Sequence, residues 1–516
     1  MNRPGLAYLL AFGVGFLSLS QEILFVRLVG FAFESTPESF AFVLVCFLLG
    51  IALGAHAGKR ICAQRSALVP AAGAVLLIAA GIDACLPQLA LVALGPRAFA
   101  TSLAGPAIGT LILASAALKS MLFPIAHELG ADATGTHVGR TISRVYACNI
   151  AGSALGPLVT GFLLLDILGV EAAFLLIAAG TFTLSSLCFA SVRGAHAVAV
   201  GVAGAALLFL SARLYPADLL RGILVGQTPP QTPVGTIVET RSGIIHSLRA
   251  DAGGDHVYGG NVYDGRINTS LRINSNGIDR AYMLAALHAN PQRILIVGMS
   301  SGAWTWVLSK FPGVREIDVV EINPGYLQLV RAHPEVSSIL SDRRLRIHVD
   351  DGRRWLARHP EQRYDLIVMN TTLHWRAYAT VLLSVESLML MRRHQAAGGI
   401  MTFNTTGSPD ALWTASKVFP FARLYSNFAY VSDHDFTRIG TERAQRVYRV
   451  ADDGKALFDP ADAGDAAVVD AMLRAPFIAP ARVTEMAKRP LEVITDNNML
   501  TEYRYGRPNR LLPGFR

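Results

Sequence analysis

The chain has 516 residues, of which 52% are Ala, Val, Ile, Leu, Met, Phe, Trp, Tyr or Cys, with a mean hydropathy of +0.38. It is too long for one ordinary domain and too apolar for an average soluble protein. The first 215 residues hold 11 Lys/Arg and 8 Asp/Glu, leaving 35 and 30 for the last 301, so the net +8 is dispersed and gives no basic stripe that would favour a nucleic-acid partner. Cys46, Cys62, Cys85, Cys148 and Cys188 all lie in the apolar half at no CxxC spacing, and the polar half has none. They read as small buried residues, not as a disulfide framework or a zinc site, and no metal is expected.

Apolar runs long enough to cross a hydrocarbon core, which takes roughly 20 helical residues, fall near 6–30, 39–58, 67–86, 104–126, 143–166, 170–190 and 196–214. Residues 1–215 are therefore expected to form an integral membrane helical domain of about seven spans, with the lipid bilayer as its partner. Glu22 and Arg27 in the first run and Lys119 in the fourth are costly in hydrocarbon; Glu22 and Arg27 are expected to join helices inside the bundle. Arg3, Lys59, Arg60, Arg65, Arg140, Arg144 and Arg193 fall on the N-terminal side of alternate spans, which favours a cytoplasmic N-terminus. Seven crossings would then put the C-terminal domain outside the cytoplasm, where adenosyl co-substrates are scarce. A C-terminal domain in the cytoplasm of a multi-pass cell-membrane protein is expected if one span is miscounted, the stretch from Pro87 to Leu103 being the suspect, or if the charge bias is overridden.

After a linker at 216–233, residues 234–290 read as a β-rich lead-in with turns at AGGD and YDGR. From Arg293 to about residue 455, strand-like and helix-like segments alternate: RILIVG, EIDVVEIN, LRIHV, YDLIVMN and GIMTFN, each separated by a helix. That rhythm predicts a parallel, Rossmann-like α/β sheet whose ligand sits beyond the carboxyl ends of its strands. Residues 456–516 read as a C-terminal extension.

The informative residues fall at those strand ends. The loop Gly298-Met299-Ser300-Ser301-Gly302 lets backbone approach a ligand closely. Glu321 ends the second strand about 20 residues on, where an acid accepts both ribose hydroxyls of a nucleoside. Asp351 and Gly352 follow the third strand, where a carboxylate can accept from an adenine amino group; the competing role of Asp351 is a helix N-cap. The loop lacks the third glycine of GxGxxG, which disfavours oxidoreduction.

In this order the motifs GMSSG, VVEIN, DDGRRWL, YDLIVMN and GGIMTFN, preceded by YDGRINTSL, resemble the spermidine synthase (polyamine aminopropyltransferase) family, whose fold is that of class I methyltransferases. SQEILFVRLVG and FLLGIALG also resemble the multi-span region fused to some members. The resemblance implies that Gly298, Ser300, Ser301, Gly302, Glu321, Asp351 and Gly352 hold decarboxylated S-adenosylmethionine (SAM), or SAM, as co-substrate. Two positions depart from the pattern: Ser301 replaces a loop Asp, and Asn370 replaces the strand-end Asp that deprotonates the attacking amine. Asn370 accepts a hydrogen bond but cannot take the proton.

The polar set after the fourth strand comprises Asn370, Thr371, Thr372, His374, Trp375 and Arg376. His374 is a candidate general base, and Arg376 a candidate clamp for a carboxylate or phosphate, or a partner of Glu386. Tyr263, Asp264, Tyr282 and Asn404 are further candidates for substrate contact. Three functions stay open: a membrane-bound aminopropyl transferase acting on a small-molecule amine such as putrescine, a SAM-dependent methyltransferase acting on a membrane-associated acceptor, and a non-catalytic nucleoside or polyamine sensor or transport-associated protein. A homo-oligomer is compatible with any of them.

Overall fold

The computed structural model describes residues 3–63, 68–95, 101–131, 138–192, 194–214, 218–227, 232–370, 373–438 and 442–506. The chain divides into two compact units that change over near residue 232.

The first unit is helical: α1 (Arg3–Ala32), α2 (Pro37–Cys62), α3 (Leu68–Ala93), α4 (Ala104–Ser120), α5 (Val138–Val159), α6 (Val170–Ala190) and α7 (Gly194–Leu214). Among the described residues, six segments are long and apolar enough to cross a membrane: Pro4–Ala32, Pro37–Cys62, Leu68–Ala93, Ala104–Gly130, Ile142–Ile167 and Val170–Ala190. Seven were expected. The run near 196–214 does form the helix α7, but it is not one of the six. Leu48, Leu49 and Leu53 on α2 remain more than half exposed, a face suited to an apolar surround. Glycine permits the close packing expected of such helices: a Cβ on Gly54 would lie 2.1 Å from the Ala117 carbonyl oxygen, and one on Gly152 would lie 2.0 Å from that of Phe12.

The charged core of this unit rests on Lys119 and Asp83, not on Glu22 and Arg27. Lys119 Nζ lies 2.7 Å from Asp83 Oδ1 and donates to Gln21 Oε1 at 2.6 Å. Gln21 and Thr181 also donate to Asp83, each at 2.9 Å, so four helices converge on one buried carboxylate. Both oxygens of Asp83 accept, and Lys119 has two acceptors, which offsets the burial of the two charges.

The second unit opens with a four-stranded sheet in the order β1 (Val234–Thr240), β2 (Gly243–Leu248), β3 (His256–Gly259), β4 (Val262–Arg266). The tight turn joining β3 to β4 is not at YDGR. It is Gly260-Asn261, with φ of 56° and 63°, the two left-handed residues a two-residue hairpin demands. Tyr263, Asp264 and Arg266 thus belong to a strand, where successive side chains take opposite faces: Tyr263 is 43% exposed and Asp264 turns inward.

A seven-stranded sheet follows, in the order β10-β11-β9-β8-β5-β6-β7. Its strands are β5 (Arg293–Val297), β6 (Glu316–Glu321), β7 (Leu345–Val349), β8 (Tyr364–Met369), β9 (Gln395–Asn404), β10 (Phe421–Tyr425) and β11 (Phe428–Ser432). β5 to β9 run parallel, and β11 returns antiparallel to β9. The order reverses at β5, which pairs with β6 on one side and β8 on the other, so a crevice opens at the carboxyl ends of these strands. Helices α8 (Asp279–Leu287), α9 (Ala303–Ser309), α10 (Gly325–Arg331), α11 (Gly352–Arg358), α12 (Val385–Arg393) and α13 (Pro409–Val418) complete the frame.

Ile245 and Val257 of the lead-in share one core with Ile294, Ile296, Phe458, Val469 and Met472. Ile494 and Leu500 enter the core that covers Leu295 and Ile367. The lead-in, which keeps its own four-stranded sheet, and the segment after 455 thus share their cores with the seven-stranded sheet.

Candidate active site

Beside the crevice at β5, Glu321 ends β6 3% exposed. Its Oε2 accepts the Met299 N–H at 2.7 Å and its Oε1 the Asn323 N–H at 2.8 Å. Burial pushes its carboxyl up to about 7, and those two amide donors pull the other way. The loop after β5 bends through three left-handed residues, Gly298 (φ 86°), Ser300 (φ 50°) and Gly302 (φ 77°). Ser300 Oγ donates to the Asp264 carbonyl, which joins the loop to the lead-in sheet.

These groups enclose a cavity of about 180 Å³. Gly298, Ser300, Glu321, Asp351, Gly352 and Asn370 line it, together with Asp264 and Arg376. Sequence reasoning thus brought eight residues of the wall to one place. Asp351 is the N-cap of α11, accepting from the Arg354 N–H at 2.8 Å. Asp350 beside it is drawn down by Arg354 and Arg358, despite an opposing contribution from burial.

Other candidates lie elsewhere. Ser301 is buried behind the loop, where its Oγ receives the Ala303 N–H at 3.4 Å, and Gly302 packs on Val330 and Ile339. Tyr282 is a core residue, 1% exposed, whose hydroxyl donates to the Thr269 carbonyl; it offers nothing to an acceptor in the cavity. Asn404 donates to Asn370 Oδ1 at 3.3 Å from behind the wall and accepts from Thr406 N and Asn427 Nδ2. His374 does not line the cavity. Its Nδ1 faces Thr406 Oγ1 at 2.8 Å, and burial lowers its basicity. Thr371 and Thr372 lie outside the described residues. Glu386 accepts from the Asp496 N–H, so it is not the partner of Arg376.

Among the wall residues that sequence reasoning missed, Tyr326 and Gly259 shape the side facing Arg376. Tyr326, at the start of α10, donates its hydroxyl to Asp264 Oδ2 at 2.5 Å. Gly259 ends β3 where a Cβ would lie 2.3 Å from the Tyr326 hydroxyl and 3.5 Å from Arg376 Nη1. The absence of a side chain there keeps open the wall shared by Asp264, Tyr326 and Arg376. Asp264 carries a carboxyl raised by burial, against the pull of Tyr326 and Arg376.

The Spermine/spermidine synthase domain family matches residues 281–419. Polyamine aminopropyltransferase 2 of Streptomyces coelicolor is 26% identical over 441 residues, covering 79% of this chain and 75% of that protein. The polyamine aminopropyltransferase of Agathobacter rectalis is 41% identical over 88 residues, 17% of this chain and 30% of that protein. The match thus spans under a third of that shorter relative's length. Among solved structures, a spermidine synthase in complex with the transition state analogue AdoDATO covers 49% of this chain and 87% of its own, at 16% identity and a TM-score of 0.40. The family match thus falls within the second unit, from α8 through the parallel strands to α13, and the aligned Streptomyces relative extends beyond it, so this part of the chain is similar to the spermine/spermidine synthase family.

Proposed function

We propose that the protein is a membrane-bound transferase that moves an aminopropyl-type chain from an adenosyl sulfonium, decarboxylated SAM or SAM, to an amine. The observation that carries this reading is the convergence of Glu321, Asp351 and the Gly298 loop on one cavity at the switch point of the sheet. In it Glu321 accepts the ribose hydroxyls and Asp351 faces the adenine. The amine nitrogen attacks the methylene next to sulfur, the C–S bond breaks, and methylthioadenosine leaves with the bonding electrons.

Asn370 stands at the cavity edge, where it can orient the amine by accepting a hydrogen bond. It cannot take a proton, so the acceptor must enter as the free base. Reaction with putrescine, whose nitrogens hold their protons to about pH 10 as lysine's does, is therefore slow at neutral pH. The six apolar helices support a place in the bilayer. Six crossings from a cytoplasmic N-terminus return the chain to the cytoplasm, where adenosyl co-substrates are plentiful.

Methyl transfer is the second reading, favoured by the cation Arg376, which suits a co-substrate that keeps its carboxylate. The test is to incubate the detergent-solubilised chain with putrescine and either sulfonium and identify the nucleoside product. Methylthioadenosine supports chain transfer. S-adenosylhomocysteine establishes methyl transfer in its place.

A further inference from the structure

Among the described wall residues Arg376 is the one cation, set among Asp264, Glu321, Asp350 and Asp351. Its side chain makes no hydrogen bond or ion pair with a described residue; its bonds are backbone ones, its N–H donating to the Leu373 carbonyl and its carbonyl accepting the Ala379 N–H. A guanidinium kept for structure pairs with a carboxylate, as Arg353 does with Asp496 at 2.7 and 2.8 Å. Arg376 and Asp264 influence one another electrostatically, yet no ion pair within 4.0 Å joins them. They share the wall left open by Gly259, and Tyr326 braces Asp264 from the side. An unpaired cation and a braced anion facing one space are complementary to a zwitterion.

Resting on the nucleoside reading of this cavity, we propose that the co-substrate is SAM with its carboxylate intact: Arg376 binds the α-carboxylate and Asp264 the α-ammonium of its amino acid end. Decarboxylated SAM has only the ammonium. It leaves Arg376 without an anion, in a wall where a bare ammonium gains from Asp264 but is repelled by Arg376. The neutral Asn370, where the family pattern has an acid, is consistent with this balance, since a carboxylate would be repelled by an acid at the cavity edge. If the chain is transferred, it carries the carboxylate with it, and methylthioadenosine is still the leaving nucleoside.

The experiment is calorimetric titration of the detergent-purified full chain with methylthioadenosine, SAM and decarboxylated SAM, repeated on Arg376→Gln and Asp264→Asn. Methylthioadenosine lacks the amino acid end and reports whether the nucleoside site is intact in each variant. SAM is expected to bind about tenfold tighter than decarboxylated SAM, the worth of one charge-assisted pair. Arg376→Gln abolishes that preference by weakening SAM alone, whereas Asp264→Asn weakens both sulfonium ligands. Methylthioadenosine affinity stays within about twofold throughout. The proposal is overturned if methylthioadenosine binds but SAM binds no tighter than decarboxylated SAM, or if Arg376→Gln leaves their ratio unchanged. Failure of all three ligands to bind the folded protein would overturn the nucleoside site itself, and this inference with it.

Discussion

Glu321 accepts the Met299 N–H at 2.7 Å, which ties the end of β6 to the loop after β5. One carboxylate thus holds the loop and, in the proposed site, the ribose. Glu321→Gln replaces one acceptor oxygen with a donor that faces a backbone N–H or the ribose, and it is expected to weaken methylthioadenosine binding more than about tenfold. Calorimetry on a variant with an unchanged far-ultraviolet spectrum checks this.

The same carboxylate gives a pH dependence. Burial raises its carboxyl to about 7, so below that pH a proton occupies an oxygen that should accept from ribose. Nucleoside affinity is expected to rise between about pH 6 and 8 and then level off. An affinity that falls over that interval would contradict the assignment of Glu321.

Asn370→Asp restores a group that can bind an ammonium and take its proton. Methylthioadenosine release with putrescine at pH 7.5 should rise by about tenfold or more, within the usual range for general base catalysis, and the rate should depend less steeply on pH. The measurement is the pH–rate profile of both proteins. No gain in a variant that still binds methylthioadenosine would contradict the role given to this position.

Gly259→Ala places a Cβ 2.3 Å from the Tyr326 hydroxyl. The Tyr326–Asp264 bond must yield, and affinity for either sulfonium is expected to drop several-fold while methylthioadenosine binding holds. Titration of the three ligands against the variant reads this directly.

In the helical unit, Lys119→Met leaves Asp83 buried without its cation. A loss of about 3–5 kcal/mol is expected, because removing one partner strands the other charge. Pairing it with Asp83→Leu should recover much of that loss. Thermal unfolding in detergent, followed by intrinsic fluorescence, compares the two.

What was legible in the sequence is what local pattern encodes. Long apolar runs marked the six membrane-length helices, and alternating segments marked β5 to β9. Glu321 and Asp351 were visible because they stand at fixed distances along those strands. Asp83 was overlooked: a single acid in an apolar run gives no sign of Gln21, Lys119 and Thr181 meeting it from three other helices.

The far wall of the cavity was equally hidden. Gly259, Asp264 and Tyr326 come from two hairpin strands and a helix some 60 residues on, and only tertiary packing brings them together. YDGR misled because Asp-Gly is a turn signal, while Gly260-Asn261 already supplied the two left-handed residues. In the tail, Asp496 pairs with Arg353 of α11 and accepts from Ser384, contacts that no local pattern signals.

The central claim is that the cavity at the ends of β5, β6 and β7 binds an adenosyl nucleoside. Its most direct test is titration of methylthioadenosine into the detergent-purified chain, side by side with Glu321→Gln. Saturable binding at one site per chain is expected, lost or weakened more than about tenfold in the variant. Heat no different from dilution in a folded wild-type protein, or equal affinity in both, would contradict it.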